Sequence, residues 1–129
     1  MTPINKSVYW SRMTNHVTLF RPVGTIELEL IERSGWREFP PRLPDQPIFY
    51  PVTNQEYAEM IARDWNVKYN DDHRGYVTRF DVNSEVANKY DRQVVGGREC
   101  EELWVPAEEL PGFNAAIVGK IQVVARFGS

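Results

Sequence analysis

The chain has 129 residues, 42% hydrophobic and 26% charged, a balance that supports one packed core and excludes wholesale disorder. A formal net charge of -3 gives no global attraction to a phosphate backbone, so nucleic acid is not the expected partner. The lone Cys100 allows no internal disulfide and no CxxC zinc pair, no apolar run approaches the roughly 20 residues of a bilayer span, and "MTPINKSVYWSRMTNH" lacks the apolar middle of a signal peptide; one cytoplasmic domain without a membrane anchor is expected.

Residues 1–16 carry scattered Tyr9, Trp10 and Met13 without a sustained period, which predicts an extended arm. "HVTLFRP" follows as a first strand, rich in β-branched and aromatic residues and ended by Pro22. In "TIELELIERSG", Thr25 is placed to cap a helix over about 25–34, with acids near its start and Gly35 at its end. "WREFPPRLPDQP" holds four prolines and must be an ordered loop of the kind that borders sites. "IFYPV" is a short strand. Thr53 and Glu56 form a T-x-x-E capping box before a second helix, whose Tyr57, Met60, Ile61 and Trp65 recur at helical spacing along one apolar face.

Beyond the polar "NVKYNDDHRG", the segment "YVTRFDV" alternates as a half-buried strand, and "SEVANKY" predicts a short helical piece. "QVV" and "ELWV" are strand-like runs separated by Gly96, Gly97 and an acidic cluster, "AEELPGFNAAIVG" predicts short helical turns, and "KIQVVARF" is a closing strand. Helices early and strands late predict an α+β fold whose sheet is mainly antiparallel, split or sandwich-like, rather than doubly wound. No G-x-G-x-x-G and no P-loop is present.

Three residues stand out for chemistry. Arg21 ends the first strand; a lone arginine there usually snorkels to water or pairs with an acid, but its planar fork also suits a phosphate or ribose edge. Tyr50 is either a core aromatic or a platform for a flat ring. Glu102 opens the apolar strand "ELWVP" after "RECE", where a carboxylate is either solvated or turned into a cleft to polarise a hydroxyl. His16 and His73 lack ligand spacing, Asp71 and Asp72 read as a solvated turn, and neither Ser34, Ser84 nor Cys100 sits in a nucleophile motif, so no metal is expected.

"TLFRPVG", "ELELIERSG", "IFYPVTNQEYAEMIARDW" and "ELWVPAEEL" together resemble a family of small bacterial proteins described as ADP-ribosylation/crystallin-like and, more distantly, the ADP-ribosyltransferase fold. The resemblance covers residues 17–127 and implies an ADP-ribosyltransferase-like split sheet with two N-terminal helices. It places Arg21 on NAD, Tyr50 against nicotinamide as both a binding and a catalytic residue, and Glu102 as the catalytic carboxylate. The second strand lacks the Ser-Thr-Ser pattern of the arginine-modifying branch, and no Glu stands two residues before Glu102, so arginine is a poor fit as acceptor. The implied activity is transfer of ADP-ribose from NAD to an unidentified protein or small-molecule acceptor. The alternatives are a non-catalytic protein-binding module, using the cleft or the loop 37–47, and an NAD glycohydrolase.

Overall fold

The computed structural model describes residues 15–97 and 100–128; the arm expected at 1–16 lies almost wholly outside them. The elements in chain order are β1 His16–Val23, α1 Thr25–Arg33, β2 Ile48–Phe49, α2 Gln55–Ile61, a π-helical turn Ala62–Asn66, α3 Val67–Tyr69, β3 Gly75–Asn83, α4 Ser84–Ala87, β4 Arg92–Val94, β5 Glu101–Leu103, β6 Val105–Pro106, a 3-10 turn Ala107–Glu109, α5 Leu110–Ala115 and β7 Ile117–Phe127. Helices and antiparallel strands are mixed, as the α+β expectation required. Among the described residues no helix is long and apolar enough to cross a membrane.

Two strand systems meet at one point. β1, β3 and β7 form an antiparallel sheet in the order β1-β3-β7, while β2 pairs with β6 and β4 with β5. The pairs Ile48–Pro106 and Phe49–Val105 continue in unbroken register to the bridge Val52–Glu102, and Val52 bridges Phe20 of β1 on its other side. Backbone hydrogen bonds close this seam, Phe20 N to Val52 O at 2.8 Å, Val52 N to Phe20 O at 2.7 Å and Leu103 N to Pro51 O at 2.9 Å. Beyond Phe20, the residues Arg21–Val23 pair, among the described residues, only with β3, so the sheet forks there. Pro51 has no N–H to extend the ladder.

Alternation along the strands sorts side chains between two cores. Leu19 and Val23 of β1 join Phe39, Phe49, Phe80, Leu103 and Phe113 in the larger cluster, where the Phe39 and Phe80 rings meet edge to face at 4.7 Å. Phe20 and Val52 face the smaller cluster under α2, with Tyr57, Ala58, Ala62 and Val77.

Local signals account for most helix ends. At the end of α1, Gly35 has φ 81° and Trp36 φ 65°, and the bonds Trp36 N to Ile31 O and Gly35 N to Glu32 O, 3.0 and 2.9 Å, make a Schellman closure. The expected start caps are both displaced by one residue. α1 is capped by extended Gly24 without a side-chain bond, and the Thr25 hydroxyl is spent on Asp72 instead. α2 is capped by Asn54, whose Oδ1 accepts from Tyr57 N at 3.0 Å. Thr53 still belongs to the strand system, its N–H bonded to Glu101 O and its hydroxyl donating to Glu101 Oε1 at 3.0 Å.

The expected apolar face of the second helix is also corrected. The buried residues are Tyr57, Ala58, Ala62 and Asn66, whereas Met60 and Trp65 are exposed. The π turn adds a residue to the helical repeat and rotates the following side chains, so Trp65 stacks on Tyr69 at 4.4 Å on the surface rather than entering the core. The same turn crosses β3 so closely that a Cβ on Gly75 would stand 2.6 Å from Ala62 O. A backbone atom cannot yield as a side chain does. Gly75→Ala is therefore expected to lower unfolding free energy by about 1–3 kcal/mol, read by urea denaturation.

Candidate functional site

Arg21 is 5% exposed and lies in the fork of the sheet. Its Nε and Nη2 donate to Glu27 Oε2 and Oε1 at 2.8 and 3.1 Å, a bidentate pair brought together because α1 begins immediately after β1. Its guanidinium also stacks 4.7 Å from the Phe49 ring centroid, on the side of the larger core. Such a pair is costly to desolvate but costlier to break, because removing one partner strands the other charge.

Tyr50 stands at the mouth of the fork, 39% exposed. Two guanidiniums flank its ring, with the Arg21 and Arg42 Cζ atoms 5.7 and 5.9 Å from the centroid. Arg42 comes from the proline-rich loop and is oriented by one hydrogen bond, Nε to Ile48 O at 3.1 Å. Burial, and then the neighbouring Arg21 charge, hold the Arg42 pKa below its ordinary value, while Glu27 opposes them. Two cations thus share one carboxylate, and Glu27 is already chelated by Arg21. Sequence reasoning passed over Arg42; the signal available was an arginine fixed between prolines in "PPRLP", a loop already marked as site-bordering.

Glu102 is 9% exposed and belongs to the other face. Its partner across the ladder is Val52, which also bridges Phe20, so Glu102 points with Phe20 toward the smaller core while Arg21, the next residue of β1, points away. Glu102 Oε2 accepts from Tyr57 OH at 2.6 Å and Oε1 from Trp104 Nε1 at 2.9 Å. Burial first, and Glu102 second, push the Tyr57 hydroxyl well above the ordinary tyrosine range, and Tyr50 lies near enough to add to the shift.

Of the three residues singled out from sequence, Arg21 and Tyr50 are neighbours, while strand alternation turns Arg21 and Glu102 to opposite faces of the sheet. Among the described residues, no group of three His, Cys, Asp or Glu side chains is arranged to hold a metal ion. No protein-family model, no curated protein and no solved structure matches the chain.

Tyr57 provides a test of this wiring. Tyr57→Phe deletes one donor to a buried carboxylate and is expected to cost about 1–3 kcal/mol. The sign of the pH dependence follows from the raised pKa: a folded state that prefers the neutral phenol keeps its full advantage below about pH 10 and loses it as pH climbs higher. Urea midpoints should thus fall more steeply above pH 10 in the wild type than in Tyr57→Phe; parallel profiles would contradict the assignment.

Proposed function

We propose that the chain binds NAD at the fork of the sheet and transfers its ADP-ribose to an acceptor. The observation that carries the binding half is the excess cation beside an accessible ring: Arg42 and Arg21 flank half-exposed Tyr50 with one carboxylate between them. A pyrophosphate supplies the charge that this arrangement lacks, and guanidinium forks match its oxygens. A flat base or nicotinamide ring covers the exposed face of Tyr50. Arg42, with its Nη groups uncommitted among the described residues, is the principal anion donor in this scheme. Arg21, held by Glu27, contributes its charge from behind.

The transfer half rests on the resemblance of "TLFRPVG", "IFYPV" and "ELWVP" to the ADP-ribosyltransferase-like family. In such a step the bond between C1′ of the ribose and the nicotinamide nitrogen breaks, and its electron pair leaves with neutral nicotinamide. The acceptor nucleophile then bonds to C1′ and gives up a proton. Glu102 would stabilise the positive charge that develops on the ribose, which requires its carboxylate to release Tyr57 or Trp104.

A second reading is favoured by the same geometry. With Arg21 and Glu102 on opposite faces and both Glu102 oxygens engaged, the fork serves as a non-catalytic binding module that holds the dinucleotide without cleaving it.

Thermal denaturation and nicotinamide release separate these outcomes. NAD at millimolar concentration should raise the melting temperature, since a ligand that binds only the folded state stabilises it by mass action. Arg42→Ala should weaken NAD about 10-fold or more, the loss of a charge-assisted hydrogen bond, whereas Glu102→Gln should leave affinity nearly intact and abolish nicotinamide release. The absence of any NAD-dependent shift would sink the binding claim. A shift without nicotinamide release by the wild type would leave the binding module alone standing.

A further inference from the structure

A cavity of about 440 Å³ beside β4 and β5 is lined by Trp104, Tyr90, Gln93, Pro106, Asp91, Glu109 and Lys89. Its volume falls in the range of small-molecule sites. We propose that it binds a cationic group on a short apolar stem, an alkylammonium or alkylguanidinium. The proposal does not rest on the dinucleotide.

The walls define that chemistry. Trp104 is 45% exposed and offers its indole to the cavity, and Tyr90, braced edge-on against Phe113 at a centroid distance of 6.3 Å, offers a second ring. Aromatic faces attract cations through the negative pole of their quadrupole, tryptophan most strongly. The Trp104 indole N–H donates to Glu102 at 2.9 Å, and a carboxylate acceptor pushes electron density back onto the ring, which strengthens that attraction.

Charge points the same way. Two carboxylates, Asp91 and Glu109, face one ammonium, Lys89, and among the described residues no ion pair neutralises either acid. Glu109 is oriented by the Tyr90 hydroxyl, which donates to its Oε1 at 2.8 Å, leaving Oε2 for a ligand. Burial, and then this bond, raise Tyr90 to about 12, so the phenol stays a neutral donor at physiological pH and adds no competing anion.

Butylguanidinium and its neutral isostere butylurea are the probes, titrated into the 129-residue chain with the Trp104 indole N–H resonance as readout, assigned by its disappearance in Trp104→Phe. Butylguanidinium should shift that resonance in a saturable way at millimolar concentration, and butylurea should bind about 10-fold more weakly or less, the difference being the charge term. Glu109→Gln, which keeps an acceptor for Tyr90 but removes the charge, should weaken butylguanidinium about 3- to 10-fold while its amide spectrum remains that of the folded protein. Equal shifts by the two probes, no shift by butylguanidinium at tens of millimolar, or unchanged affinity in Glu109→Gln would each overturn the proposal.

Discussion

Val52 is the residue on which the two halves of the sheet depend. It exchanges both backbone hydrogen bonds with Phe20, bridges Glu102 on its other edge, and buries its side chain completely in the smaller core. Because β1 and the β2 strand system pair only there, every feature of the fork follows from this seam. Arg21 turns one way and Glu102 the other, because one residue along a strand reverses the face.

The fork also explains why a cation can end a core strand. Arg21 enters an apolar setting of Phe49 and Leu19, but Glu27 arrives from the first turn of α1 with both carboxylate oxygens. The short path from β1 through Val23 and Gly24 into α1 makes this pairing local, so the ordering entropy of bringing the partners together is small. With Arg21 neutralised in this way, the net positive character at the mouth belongs to Arg42. The proline-rich loop positions it, and the Ile48 carbonyl fixes it, with no anion of its own among the described residues.

Much of the architecture was legible from local chemistry. The β-branched runs of β1, β3 and β7, the glycine closing α1 and the proline-rich loop lie where composition and period predict. The errors were of another kind. Thr53 satisfies the pattern of a capping box, but its backbone is claimed by Glu101 across the ladder, so Asn54 takes the cap; a tertiary hydrogen bond decided between two adequate residues. Met60 and Trp65 fit the apolar face of a regular helix but are exposed, and no local pattern announces the π turn Ala62–Asn66 that carries Trp65 outward. The pairing of Glu102 with Tyr57 and Trp104, like the approach of Arg42 to Tyr50, joins segments far apart in sequence. Single-residue reasoning identified Arg21, Tyr50 and Glu102 as unusual, but it had no means of knowing that alternation at one bridge would part the first from the third.

The anion site proposed at the mouth of the fork is built on Arg42 and Tyr50. A crystal structure of the chain saturated with ADP-ribose tests it most directly, since this ligand carries the pyrophosphate and cannot lose nicotinamide. Pyrophosphate oxygens are expected about 3 Å from the Arg42 Nη atoms, with a ring or ribose of the ligand resting against Tyr50 and the Arg21–Glu27 pair still closed. ADP-ribose bound elsewhere on the surface, with Arg42 and Tyr50 untouched, would contradict it.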